Sequence, residues 1–134
     1  MKFTTLFSLL LIANISYAWD NPQIDSAWRS ENRQQLVSYT TDASFSSLYA
    51  HYRLAMIAIN NDEKKRAKEP LEAIKESLKD NYKTPDEAAL YSAALGLSIA
   101  LKPWQAAFIA GSAEDALEYS FTETENHAPT FMVK

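Results

Sequence analysis

The feature that most constrains the fold is residues 88–101, a stretch rich in alanine and leucine that contains no charged residue. It follows Thr84-Pro85-Asp86-Glu87, where a threonine cap, a proline in the first turn and a glutamate three residues after the cap predict a helix start. Its leucines point in all directions around a helix, and a helix that is apolar all round is buried or lies in a membrane. Because about 14 residues is short for a bilayer crossing, we predict a buried core helix.

The composition favours an all-α domain. Only two glycines and five prolines are present, too few for a protein built from many β-turns. The chain has no cysteine, so packing rather than disulfides must hold it together. Its net charge of −4 gives no basic surface for a phosphate backbone, which makes nucleic acid a poor candidate partner.

Residues 1–18 read as a secretory signal peptide. Met1-Lys2 supplies a short basic start, residues 6–12 are apolar, and Ser16-Tyr17-Ala18 places small residues where signal peptidase reads them. We therefore predict cleavage after Ala18 and a periplasmic or secreted protein. An uncleaved N-terminal membrane anchor is the alternative. By length, residues 19–134 form one domain.

Apolar residues at steps of three and four divide this domain into three helical units. The first, residues 19–42, is an N-terminal capping helix with its body over 23–39. The next two units are hairpins. The first hairpin, 43–80, has helices over 43–60 and 63–79. The second hairpin, 84–122, has an aromatic loop over 102–111 before a helix that starts at Ser112. Thr40-Thr41-Asp42 is expected to cap the second helix, and Pro70 to cause a kink or a late start in the third.

Small residues at fixed places in these hairpins resemble tetratricopeptide-type repeats. One set is Leu54-Ala55 with Ala67, Leu71 and Ile74, and the other is Leu95-Gly96 with Ala116-Leu117 and Pro129. The two sets lie about 41 residues apart, against roughly 34 in the usual repeat, so the match is degenerate. The fold that this implies is a stack of antiparallel helical hairpins.

More narrowly, residues 45–134 resemble a family of exported bacterial proteins with divergent tetratricopeptide-like repeats. The resemblance is carried by Tyr52-Arg53-Leu54-Ala55, by Tyr91-Ser92-Ala93-Ala94-Leu95-Gly96 and by Ile99-Ala100-Leu101-Lys102-Pro103. It implies protein or peptide binding on a helical scaffold and offers no catalytic residue. Family members continue past the position of Lys134, so a function residing there is in doubt, and a truncated structural remnant is one alternative.

The residues of this chain offer little chemistry. His51 and His127 stand far apart and have no acidic partners at metal-ligand spacing, although Glu123 and Glu125 near His127 could hold a loose cation. The isolated glycines form no phosphate loop. We therefore predict no enzyme, cofactor or metal site. Convergence of Glu87, His51 and Arg53 in a cleft would revive a catalytic hypothesis.

Six residues are candidates for contact with a partner. The tyrosines among them lie on or beside core stripes, so core packing is favoured over a ligand-facing role. The two loop aromatics are of a type enriched at interfaces, though tucking over the buried helix is the favoured role. The arginine is a possible anchor for a carboxylate in a concave groove, and the charged run 62–69 is read as a solvated helix face. The candidates are Tyr49, Tyr52, Arg53, Tyr91, Trp104 and Phe108.

Together these observations predict an exported, non-enzymatic binding or scaffold module. Its partner would be a protein or peptide, and self-association stays open. The competing class is a membrane-associated protein that uses residues 88–109 as an apolar hairpin.

Overall fold

The computed structural model describes residues 21–127, with side chains described through residue 122, and this part of the chain is all-helical. A short 3₁₀ turn, Pro103–Gln105, joins the last two of its six α-helices. The helices are α1 Pro22–Arg29, α2 Arg33–Ser38, α3 Phe45–Asn60, α4 Lys64–Leu78, α5 Pro85–Leu101 and α6 Ala106–His127. The predicted signal peptide and the segment after residue 127 lie outside the described residues.

Helix α5 forms where the sequence predicts it. Thr84 Oγ1 accepts from the backbone N–H of Glu87, and the Glu87 carboxylate accepts from the N–H of Thr84, which completes a capping box. The helix contacts α3, α4 and α6, so its all-round apolar surface is covered from several sides. The prediction of a buried core helix is confirmed, with Leu90 and Ala94 fully enclosed.

Helix α3 is the second centre of the core. It contacts α1, α2, α4 and α5, and its buried residues lie on more than one face, among them Leu48, Ala55 and Ile57. Its cap is Ser44, whose hydroxyl accepts from the N–H of Ser47, whereas Asp42 accepts from the N–H of Ser44. The predicted cap within 40–42 is therefore wrong, because the cap falls on the serine next to the first turn.

The N-terminal unit is two helices rather than one. The chain turns at Ser30–Asn32, where Glu31 adopts φ 53°, and Asn32 then caps α2 by accepting from the N–H of Gln35. Asp62 and Asp80, in the turns after α3 and α4, also have positive φ. With so few glycines in the chain, these turns use acidic residues in a conformation that most side chains avoid.

Helix α4 begins at Lys64, within one residue of the predicted start, and runs through Pro70. Of the two outcomes expected at this proline, the late start does not occur. One further boundary differs from the prediction. Residues 102–111 are not a loop, because the 3₁₀ turn leads directly into α6 at Ala106. The polar run from Ser112 therefore lies inside a continuous helix instead of starting one. Gly111 is accommodated within α6, where it faces open space.

Candidate functional site

Arg53, predicted to anchor a carboxylate in a groove, instead lies in the core, with its side chain 3% exposed. Its Nε and NH2 groups donate to the Tyr49 hydroxyl over 3.1 and 2.7 Å, and NH2 lies 3.4 Å from Asp25 Oδ1. Its guanidinium carbon stands 3.9 Å from the ring centroid of Trp28. We call Asp25, Trp28, Tyr49 and Arg53 the arginine cluster. The cluster fastens α1 to α3.

The Tyr49 hydroxyl is the centre of this network. It donates to Asp25 Oδ1 over 2.6 Å while accepting from Arg53, which uses both of its hydrogen-bonding roles. Burial, and then the hydrogen bond to Asp25, raise the pKa of Tyr49 to about 12, although Arg53 opposes the shift. Tyr49 is therefore a neutral donor across the physiological range. The cluster places a cation, a carboxylate and two aromatic rings together for packing, with little surface left for a partner.

Tyr52 and Tyr91 are also core residues. Tyr52 is almost fully enclosed, and burial raises its pKa. Tyr91 packs against Tyr82 with ring centroids 5.8 Å apart, and Tyr82 in turn meets Tyr119 edge-on at 5.1 Å. These rings join the start of α5 to α6 and the turn before α5. The structure therefore places Tyr49, Tyr52 and Tyr91 in the core, where they pack against other residues and are not exposed to a ligand.

Trp104 and Phe108 are the exposed members of the predicted set. Trp104, in the 3₁₀ turn, is 66% exposed, and Phe108, in the first turns of α6, is 76% exposed. Their rings meet edge-on with centroids 6.2 Å apart. We call them the aromatic pair. Tucking of these rings over α5, the role favoured from sequence, is wrong, because both point into solvent.

His51 lies at a different place, in a cleft between α2, α3 and α4 that encloses about 260 Å³. Burial lowers the pKa of His51, and the carboxylate of Glu69 opposes that shift. On the same side, Arg33 makes a two-pronged ion pair with Glu63, and Arg66 binds the same carboxylate. The hydrogen bond from Arg33, the largest cause, lowers the pKa of Glu63. These charges tie α2 to the start of α4.

The three residues that would have supported catalysis do not converge. Glu87 caps α5, Arg53 belongs to the arginine cluster, and His51 lines the cleft beside α2. Among residues 21–122, whose side chains are described, no group of three or more acidic or histidine side chains is arranged to hold a metal ion. His127 and the glutamates beside it fall where side chains are not described. Within the described helices, none has the length and apolarity needed to cross a bilayer.

Sequence reasoning missed a second surface feature. Between α4 and α5 runs a groove of about 340 Å³, which we call the lysine groove. Five lysines border it, of which Lys75 is paired with Glu72, and two leucines line its floor: Lys64, Lys65, Lys68, Lys75 and Lys102, with Leu71 and Leu101. The run Lys64-Lys65-Arg66 could have indicated this groove from the sequence, because cations at the start of a helix are unfavourable to the helix dipole and are unusual there. The contribution of Lys102 from α5 depends on tertiary packing and left no such signal.

Comparisons with protein-family models, with functionally characterised proteins and with solved structures find no match for this chain.

Proposed function

We propose that this chain is an exported, non-enzymatic module that binds a protein or peptide partner through the aromatic pair. The observation that carries the proposal is the exposure of Trp104 and Phe108 side by side at the junction of α5 and α6. Burying a phenylalanine side chain stabilises a protein or complex by about 1.5–3 kcal/mol. In the free protein Phe108 is mostly exposed, so most of this stabilisation would come only from contact with a partner. Tryptophan and phenylalanine are also enriched at the centre of interfaces.

The fold that we propose is a short stack of antiparallel helical hairpins similar to tetratricopeptide repeats. In support, α3 packs on α4, α4 on α5 and α5 on α6. Small residues expected at close helix crossings are fully enclosed: Ala55, Ala67 and Ala116. In repeat proteins such crossings leave an extended surface for a partner. The location that we propose, the periplasm or the outside of the cell, rests on residues 1–18, and an N-terminus at Trp19 in the purified protein would support it.

Site-specific photo-crosslinking tests the binding function. A photoreactive phenylalanine analogue replaces Phe108 in one variant and Glu76 in the control. Glu76 is also exposed but lies on α4. After irradiation in the native compartment, we expect a discrete crosslinked partner from position 108 and not from position 76. Equal, diffuse crosslinking from both positions would contradict the proposal.

A further inference from the structure

The lysine groove combines an apolar floor with a cationic border. Leu71 is buried and Leu101 is half-buried, while Lys64, Lys65 and Lys68 are exposed along one side. Lys102 reaches the groove from the end of α5. Along α4 the groove extends from Lys64 to Lys75, which is about 16 Å at the helical rise. It is therefore an elongated site and not a point-like one.

The positive charge of this groove is largely uncompensated. Its one lining acid, Glu72, is already bound to Lys75 over 2.9 Å. Within the described part of the chain, the ammonium groups of Lys64, Lys65, Lys68 and Lys102 make no ion pair or hydrogen bond. The whole chain nevertheless has a net charge of −4. The groove is thus a local cationic region on an acidic protein.

This arrangement opposes the stability of α4. Lys64 and Lys65 begin the helix, and its first turn has no acidic residue. The carboxylate of the N-cap residue, Glu63, makes no capping hydrogen bond and is bound instead to Arg33 and Arg66. Cations at a helix N-terminus are repelled by its dipole. A sequence that breaks a local stability rule without an evident structural gain indicates a function at that place. A bound anionic group would relieve the repulsion.

The shape of the groove favours an acidic peptide over other anions. Three uncompensated lysines stand within about 6 Å along α4, and Lys102 adds a fourth from the end of α5, so the border matches several neighbouring carboxylates, whereas a fatty acid offers one. A nucleic-acid backbone brings no apolar group to Leu71 and Leu101. A peptide with an apolar side chain between carboxylates can contact the two leucines of the floor and the lysines of the border at the same time.

We propose that the lysine groove binds an acidic peptide segment of a partner protein, with one apolar side chain seated between Leu71 and Leu101. This inference rests on the proposed binding function and adds a second contact surface beside the aromatic pair. The border lysines would attract and orient the segment, and the floor would select for an apolar residue within it.

The test is a nuclear magnetic resonance titration of the isotope-labelled protein with a synthetic peptide of two Glu-Glu-Leu-Glu-Glu units. The groove variant is Lys64→Gln with Lys68→Gln. Its matched control, Lys79→Gln with Lys83→Gln, removes the same charge from positions outside the groove. We expect shifts confined to residues 64–75 and 98–105. The Kd should rise about tenfold in the groove variant and at most about twofold in the control.

Four outcomes would overturn the inference. The peptide does not bind the folded protein, or both variants weaken binding equally, which would indicate non-specific attraction. Laurate displaces the peptide and binds more tightly, which would identify an anionic amphiphile as the occupant. Alternatively, the protein self-associates, with Glu114 and Glu118 of a second copy occupying the groove in place of the glutamates of the peptide. A partner crosslinked at position 108 would, in each case, leave the proposed binding function intact.

Discussion

The substitution Asp25→Asn probes the arginine cluster most sharply, because it removes one charge and keeps the shape and an accepting oxygen. In the native protein Asp25 is 22% exposed and Arg53 only 3%. The amide oxygen of the variant would still accept from the Tyr49 hydroxyl. The Arg53 guanidinium would remain in the core without its counter-charge, supported by the Tyr49 hydroxyl and the Trp28 face. The expected effect is therefore the cost of an unpaired buried cation.

The magnitude follows from burial and distance. Removing one partner of a fully buried ion pair costs about 3–5 kcal/mol. Asp25 retains some exposure and its oxygen lies 3.4 Å from the guanidinium, so we expect a smaller loss of about 2–3 kcal/mol. Replacing Arg53 by Met removes the buried cation itself and should restore part of this loss. In the double variant the two losses should fall short of additivity by at least about 1 kcal/mol.

Urea unfolding followed by circular dichroism at the helical band measures these free energies. Asp86→Asn is the matched control, because Asp86 also stands in the first turn of a helix but has no ion pair among the described residues. It should change the free energy of unfolding by at most about 0.5 kcal/mol, because burial, which raises the pKa of Asp86, opposes the favourable helix-dipole contribution. Equal losses in Asp25→Asn and the control, or strict additivity in the double variant, would refute the coupling of Arg53 to Asp25.

Three further predictions concern single positions. Gly111→Ala should stabilise the protein by about 0.5–1 kcal/mol in thermal unfolding, because the added Cβ meets no atom within 4 Å and alanine favours the helix interior; an unchanged or lower Tm would contradict this. Ser47→Ala should be neutral or stabilising by up to about 1 kcal/mol in urea unfolding, since the buried Ser47 hydroxyl has no hydrogen-bond partner among the described residues; a destabilisation of about 1 kcal/mol or more would contradict this. His51 has a lowered folded-state pKa, so its neutral form stabilises the fold and that contribution falls as pH drops below its unfolded value near 6.5. The His51→Gln variant should therefore lose less stability than wild type between pH 7.5 and pH 5.5. Identical losses would contradict the lowered folded-state pKa of His51.

The elements that the sequence predicted well have strong local signals. Helix α5 carries a complete capping box and an uninterrupted apolar body, and its bounds match the structure within a residue or two. The break between α1 and α2 was missed because Glu31 takes a left-handed conformation that glutamate, like most residues other than glycine, rarely adopts. The start of α6 was misplaced because Gly111 and Ser112 imitate a helix boundary. A glycine inside a helix costs only about 1 kcal/mol, which tertiary packing overrides.

The arrangement of the candidate residues was harder to predict, because it depends on contacts between distant parts of the chain. Tyr49 and Arg53 are one helical turn apart, so their neighbourhood was visible. Asp25 and Trp28, which draw Arg53 inward, come from a helix whose docking no periodicity reveals. For the same reason the sequence favoured a tucked aromatic pair, whereas the early start of α6 turns Phe108 outward.

The proposed function depends on contact between the aromatic pair and a partner. The most direct measurement is quantitative recovery of the partner crosslinked within the native compartment, using tagged wild type and the double variant Trp104→Ala with Phe108→Ala. Phe121→Ala is the matched control, since Phe121 is also an exposed aromatic of α6, at 49% exposure. With all three proteins folded to the same helical content, we expect one discrete partner that is lost in the double variant and retained in the control. Equal recovery from all three, or no discrete partner from the wild type, would contradict it.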